Sequence, residues 1–491
     1  AERAFTFITT TMARGDRLAH AWRDGKSVYP GLATDYAAMI KAALALYHTV
    51  LPPTIKVDEA IPQLQGSPFF LNTLPKPWLR GEQPRRAACS ALGFGGSNFH
   101  AILEEHKAEK PSVDWDSDVL IHCGELPDWK KLSWDELRLA AYESRKSFDA
   151  KAAERQIAVF EKGKDPVVFK GSGAPGKLAV LFAGQGSQYV GMNRDLACQF
   201  PEALDTLAKA NAVTRNLAEV IYPPPLGDAA AQEAALRSTD MAQPALGAAA
   251  LSQWKILKRF GVKADAFAGH SYGELPALWA AGRLTEEELH ALSGLRGALM
   301  KEGDGGRGAM LAVAASLAEV QKLLASEKLR LVIANKNTPN QNVLSGEKGE
   351  IAKAEQACAQ RGLKAVRLPV SAAFHSPLVA GAVPKFRAAL ESVKFTGGGS
   401  VWANKTAQPY PSEAASCRGL LAAQLESPVE FVALLENMRS SGMTHFIEVG
   451  PGARLSGLIG GDVAAFDSYN GKRRGVAAQA RLLAPLAAWG Y

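Results

Sequence analysis

The sequence predicts an α/β protein: a parallel-sheet body with a small inserted subdomain. Three observations lead there. From Lys177 onward, apolar strand-like runs alternate with helical patterns. One of those strands ends at a serine framed by two glycines, in "FAGHSYGELPALWA". Between about 307 and 368 the rhythm switches to strand-helix-strand-strand-helix-strand.

Taken in order, residues 1–106 end in "RRAACSALGFGGSNFHAILEEH", where an apolar run meets a glycine-rich turn and then strand-like alternation. Residues 107–172 are richer in charge and tryptophan and close on "GSGAPG", a linker boundary. The α/β body spans 173–470. In it "KLAVLFAG" reads as a buried strand running into a turn. "ALGAAALSQWKILKRFG" reads as a helix closed by Gly261, and "ADAFAGH" as a second strand. The order within 307–368 matches a ferredoxin-like split β-α-β unit. Residues 471–491, with "VAAQARLLAPLAAWG", predict a short amphipathic helix trailing off the body.

A chain of 491 residues, 47% apolar and 21% charged, is of ordinary globular composition and long enough for two or three domains. No apolar run approaches the roughly 18 residues of a membrane helix, so no membrane span is expected. The start, "AERAFTFITT", has neither a signal-peptide pattern nor an initiator Met, and reads as a piece of a longer chain. Five scattered cysteines argue for a reducing, cytoplasmic setting and against structural zinc. The net charge of +7 suits an acidic partner, but dispersed Lys and Arg are as well explained by a solvated surface, and no nucleic-acid partner is expected.

The serine is Ser271. A strand ending at Gly-x-Ser-x-Gly, followed by helix-favouring "ELPALWAAG", is the setting of a nucleophile elbow. Gly269 and Gly273 would leave room for neighbouring backbone, and Pro276 keeps the helix from starting much earlier. With 45 glycines in the chain, a turn that merely contains a serine is the competing reading. The hydroxyl needs a base and oxyanion donors. His270 adjoins it but should point away. His375, in "LPVSAAFHSPLV", sits on a loop after a strand, a place for a base and equally for a surface histidine. "FAGQGSQYVGM" follows a strand but lacks the phosphate-loop and dinucleotide spacings, leaving an oxyanion hole as its use. Arg296 lies on a helix opened by a Thr285/Glu288 capping box, on a face shared with Leu289, Leu292 and Leu299. Its partner is either an acidic substrate or a structural carboxylate.

These residues together resemble the malonyl-CoA:acyl carrier protein transacylase family, over about 177–470. "FAGQGSQYVGM", "MAQPALGAAAL", "GHSYGELPALWAAG", "LRGALM", "AAFHSPLV", "QLESPVEF" and "FIEVGPGARL" occur in the family's order. "VSAAFHSPLV" and "GELPALWAAG" are most similar to the acyltransferase of polyunsaturated fatty acid synthases. The resemblance implies an α/β-hydrolase-like body in which Ser271 is the nucleophile, His375 its base, and the main-chain carbonyl of Gln424 the orienting group. It implies an oxyanion hole from the N–H groups of Gln185 and Tyr272. Arg296 would clamp the malonate carboxylate, with Phe374 and Gln243 also lining the substrate site. Phe374 resembles the malonyl-selecting version, whereas Ala372 stands where many malonyl-selective members have His.

No bound cofactor is implied: malonyl-CoA is substrate, and phosphopantetheine resides on the partner, an acyl carrier protein within a multienzyme of other synthase domains or subunits. The rivals are a thioesterase-like hydrolase on the same fold and a catalytically silent scaffold.

The first hundred residues resemble the C-terminal part of a β-ketoacyl synthase, through "KAALALYHTVLPPTIKV" and "GFGGSNFHAILEEH". That family's two histidine motifs stand here as "TFITTTMARGD", with Ile8 at the histidine, and "KSVYPG", with Gly31 at the histidine. The resemblance therefore implies a degenerate, partial thiolase-like segment unable to condense acyl chains, joined to the transferase by the 107–172 α/β linker.

Overall fold

The computed structural model describes residues 7–8, 21–23, 26–28, 30–64, 66–92, 98–106, 118–302, 305–370, 372–460, 463–465 and 476–491. The central strand, Lys177–Phe182, is wholly apolar after its lysine and wholly buried. A strand with no polar alternation must be covered on both faces, and parallel pairing does this. It lies between Ala266–Gly269 and Met443–Val449; Ser400–Val401 and Val463–Ala465 complete a five-stranded parallel sheet.

Successive residues of the central strand point to opposite faces. Leu178, Val180 and Phe182 enter the larger core, with helices Thr239–Arg259 and Glu286–Glu302. Ala179 and Leu181 meet Phe431, Leu434 and Met438 of helix Phe431–Ser440 on the other side. The first helix carries Pro244 only in its second turn and ends before Gly261, which takes φ +86°.

Residues 308–367 form the expected strand-helix-strand-strand-helix-strand run. Its four antiparallel strands are ordered Val332–Thr338, Gln341–Glu347, Gly308–Val313, Ala365–Arg367. Leu311, Val313, Leu344, Ile351 and Ala354 make its own core. The edge strand is tied to the body by Val429 N–H to the Ala334 carbonyl (2.8 Å) and Lys336 N–H to the Val429 carbonyl (3.0 Å).

Ahead of the body, Val119–Cys123, Glu154–Glu161 and Val167–Ser172 form an antiparallel sheet, with helix Trp134–Lys146 on one face. The C-terminal helix Val476–Trp489 does not trail off, contrary to the expectation. Ala480, Ala484 and Ala488 pack on Ile157 and Val159 of that sheet, while Ala478, Leu482 and Leu486 join the core of the body. The helix is thus apolar on two sides. Arg481 pairs with Glu161 at 2.5 Å, and the Arg155 guanidinium caps the helix end by donating to the Ala488 carbonyl.

In the first hundred residues, helix Pro30–His48 lies over the hairpin Arg86–Leu92/Asn98–Glu104, around Ala42, Leu46, Trp78 and Ala87. Of the two substituted histidine motifs, the backbone of Ile8 pairs beside Ala88 and Gly31 falls in the helix; Thr9–Asp16 and Tyr29 lie outside the described residues. Gly93–Ser97 of the glycine-rich turn also lie outside them.

Candidate active site

Strand Ala266–Gly269 delivers the chain to a turn so tight that two of its residues can carry no side chain. A Cβ on Gly269 would meet the Gly273 carbonyl carbon at 2.0 Å, and one on Gly273 would meet the Phe182 carbonyl oxygen at 2.1 Å. Between them Ser271 adopts φ +52°, a left-handed backbone that a non-glycine residue holds only when its surroundings impose it.

Side chains from distant segments do the imposing. The Ser271 N–H donates to Asn404 Oδ1 (2.7 Å), and the Gln424 amide donates to the Ser271 carbonyl (2.7 Å). Asn404 is fixed in turn: its Nδ2 donates to the Gly269 carbonyl (2.6 Å), and its N–H to Glu274 Oε2 (2.7 Å). Glu274 also accepts from the Tyr410 hydroxyl. Burial pushes the Glu274 carboxyl up to about 7, while its two donors and the Arg296 charge hold it down.

His375 Nε2 stands 2.7 Å from Ser271 Oγ. Its Nδ1 faces two carbonyls, Gln424 at 3.1 Å and Ser427 at 3.0 Å. Carbonyls only accept, so Nδ1 carries the proton and Nε2 is left to accept the serine's. His375 also has a left-handed backbone, φ +54°. Burial first, then the Arg296 charge, pushes its imidazole down to about 3, so it rests neutral. His270 turns away, as expected: its Nε2 lies 2.8 Å from Asn337 Oδ1, and its ring stands edge-on to Phe431.

Among the described residues Arg296 is the largest fully buried side chain, 1% exposed. The capping box is formed, with Thr285 and Glu288 bonded reciprocally at 2.8 and 3.1 Å. The guanidinium donates through Nη2 to Gln424 Oε1 (3.0 Å) and lies 5.9 Å from the centre of the Tyr272 ring. Among the described residues no carboxylate lies within ion-pair distance of it; Glu274 acts only from further off. Burial brings its pKa down to about 10, which leaves it charged at neutral pH. The structural ion pair weighed from the spacing is therefore not formed.

Tyr272 is anchored through its hydroxyl to Ser293 Oγ (2.7 Å). Gln185 donates from Nε2 to Thr239 Oγ1 (3.2 Å) and accepts from the buried Gln243 amide (3.4 Å). Phe374 and Ala372 are buried beside His375 in the chain. The fold thus gathers Ser271, His375, Gln424 and Arg296 into one bonded set, with Gln185 and Gln243 bonded to each other. Besides Glu274, which lay inside "GHSYGELPALWAAG", three contributors went unread in the sequence. Ser427 lay inside "QLESPVEF", whereas Asn404 and Tyr410 carried no motif, only a place just past a parallel strand's C-terminal end, where such sheets hold their ligands. Among the described residues no cluster of three or more His, Cys, Asp or Glu could hold a metal ion, and no helix is long and apolar enough to cross a membrane.

A serine on a strained strand-to-helix turn, within hydrogen-bond distance of a neutral imidazole, is an arrangement suited to acyl transfer. The chain belongs to the acyl transferase domain family, which matches residues 180–462, and it is an acyltransferase. It is 31% identical over 467 residues to the spectinabilin polyketide synthase system protein NorB of Streptomyces orinoci, covering 87% of this chain and 21% of that protein. It is 29% identical over 504 residues to one of the subunits of the polyunsaturated fatty acid synthase from a Thraustochytrium species, covering 86% and 18%. Among solved structures, the malonyl CoA-acyl carrier protein transacylase of Clostridium perfringens is 30% identical with a TM-score of 0.57, covering 63% of this chain and 97% of that one. The chain therefore spans only about a fifth of the length of these two synthase proteins.

Proposed function

We propose that this protein transfers a malonyl group from malonyl-CoA, through an ester on Ser271, to the phosphopantetheine thiol of an acyl carrier protein within a polyunsaturated fatty acid or polyketide synthase. The observation that carries the reading is Arg296, a buried guanidinium with no carboxylate partner among the described residues, bonded into the serine's own network. A buried cation without a counter-charge is costly, and a dicarboxylic half-thioester supplies one on binding. An acetyl group would leave it unpaired.

In the first half-reaction Ser271 Oγ attacks the thioester carbon as its proton passes to His375 Nε2. The N–H groups of Gln185 and Tyr272 hold the oxyanion; that of Ser271 is already committed to Asn404. The carbon–sulfur bond breaks, and His375 returns the proton to the departing coenzyme A sulfur. In the second half the carrier's thiol gives its proton to His375 and attacks the ester carbon. The serine oxygen then leaves and takes that proton back. The two carbonyls on Nδ1 stabilise the imidazolium at each step, in place of a carboxylate. Phe374 and Gln243 would shape the acyl pocket. The body reads as an α/β-hydrolase-like fold with a ferredoxin-like insertion, over 173–470. Residues 1–106 read as a degenerate ketosynthase segment, with 107–172 and 471–491 as linkers.

Intact-protein mass after brief incubation with malonyl-CoA, acetyl-CoA or a long-chain acyl-CoA tests this. A malonyl-sized adduct is expected, absent in Ser271→Ala and weakened in Arg296→Ala. Labelling by acetyl or long-chain units in its place would overturn the clamp. Coenzyme A release without an adduct would make the protein a hydrolase, and neither adduct nor release would leave a scaffold.

A further inference from the structure

Gln424 enters the proposed mechanism only through its main-chain carbonyl, yet its side chain makes the more unusual connections. It is 1% exposed and directs both ends of its amide at the site. Oε1 accepts from Arg296 Nη2 at 3.0 Å, and Nε2 donates to the Ser271 carbonyl at 2.7 Å. Nε2 also stands 3.5 Å from Asn404 Oδ1, the acceptor of the Ser271 N–H. One planar amide therefore joins the buried cation to the backbone of the serine. Its orientation is settled by chemistry: a guanidinium only donates and a carbonyl only accepts, so a flipped amide would set donor against donor and acceptor against acceptor.

We infer that the Gln424 side chain is a positioning residue that couples acyl selection to nucleophile geometry, by holding the Arg296 guanidinium at a fixed place relative to Ser271. The inference rests on the malonyl-transfer reading. Arg296 sits on helix Glu286–Glu302 and Ser271 on the elbow. Tyr272 of the elbow also meets that helix, through its hydroxyl on Ser293 and its ring near the guanidinium, but the first does not touch Arg296 and a 5.9 Å cation–π contact is broad in direction. A long arginine side chain kept by packing alone would swing about its outer torsions. The hydrogen bond to Gln424 fixes the plane of the fork and occupies one Nη2 proton. Among the described residues the guanidinium's remaining N–H groups have no hydrogen-bond acceptor, so they can receive a carboxylate. A neutral amide is suited to this task. A carboxylate at the same place would orient Arg296 equally well but would cancel the charge meant for the substrate.

The test uses the whole chain and single-turnover acylation by malonyl-CoA and by acetyl-CoA, read by intact mass. The variants are Gln424→Met, which removes both hydrogen bonds, and Gln424→Glu, which has the same number of heavy atoms. Both leave the main-chain carbonyl facing His375. In each, the malonyl-over-acetyl rate ratio is expected to fall about tenfold or more, the scale of one lost charged hydrogen bond or one neutralised clamp. In Gln424→Glu the loss falls on the KM for malonyl-CoA. In both variants the rate constant for acetyl also drops, because the Ser271 carbonyl loses its donor. Placed in an Arg296→Ala background, Gln424→Met should no longer change the ratio.

A uniform loss with both acyl groups, ratio intact, would reduce Gln424 to a structural role and overturn the inference. So would a full fall in ratio that persists without Arg296. Should Gln424→Met unfold, the isosteric Gln424→Glu alone decides. Wild-type protein that accepts no malonyl group would overturn the transfer reading and this inference together, whereas a malonylated wild type with an unchanged variant ratio overturns this inference only.

Discussion

Asn404 illustrates how much of the site rests on residues that do no chemistry. It takes up the N–H of a strained serine and donates a hydrogen bond to Gly269, two residues before that serine. Asn404→Ala should lower the acylation rate constant by about tenfold to a hundredfold with little change in KM, since roughly 1.4–2.7 kcal/mol of positioning is lost. A rate within twofold of wild type would show that the elbow holds itself. Two buried groups of the site also oppose each other in pH. His375, near 3 when folded and 6.5 when free, lacks a proton that the unfolded chain holds between those values, so its part in stability is lost as pH falls through that window. Glu274, near 7 when folded against 4.5 when free, holds a proton that the unfolded chain lacks, so its part is lost as pH rises from 4.5 past 7. Denaturation of Glu274→Gln beside wild type isolates the second effect. The variant's relative stability should climb as pH goes from 4.5 to 7.5, and a flat difference would refute the raised carboxyl.

At the scale of the element, the elbow was legible because its parts lie together in the sequence. A strand, two glycines and a helix start fall within a dozen residues, although Gly269 is kept small by nearby Gly273 and Gly273 by distant Phe182. Gly273→Ala should cost several kcal/mol and abolish acylation, because the new Cβ meets backbone of the central strand, which has nowhere to move. Gly349, exposed near the start of helix Lys348–Gln360 with nothing within 4 Å, is the contrast. Gly349→Ala should leave thermal stability unchanged or raise it, by up to about 1 kcal/mol. Melting curves of the pair separate a glycine kept for space from one that is not. Asn404 and Tyr410 were illegible for the opposite reason: each meets the elbow across more than 130 positions of sequence. The C-terminal helix was misread because alanine supplies its second apolar face. So small a side chain barely marks a hydrophobic stripe, although it packs closely against a sheet.

At the scale of the whole molecule, that helix decides what holds together. It lies between the antiparallel sheet of residues 119–172 and the parallel-sheet body, apolar toward each. Arg481→Ala would take from the buried Glu161 its guanidinium partner and should lower stability by about 2 kcal/mol, which urea unfolding would detect. Removal of residues 476–491 should do far more, uncovering Ile157, Val159 and the adjoining face of the body; aggregation by light scattering is the expected sign. A deletion that stays monodisperse with an unchanged melting temperature would mean the two sheets meet adequately without it.

The same helix sets where the enzyme could be cut for transplantation. Gly171 approaches the carbonyl of Ala488 so closely that an added Cβ would stand 2.0 Å from it, so the approach to the body and the departure from it run side by side. A graft trimmed at 177 and 460, which spares every residue of the site, would discard the keystone of the joint. One that carries 118–491 as a cassette would bring both its entrance and its exit, already fitted to each other.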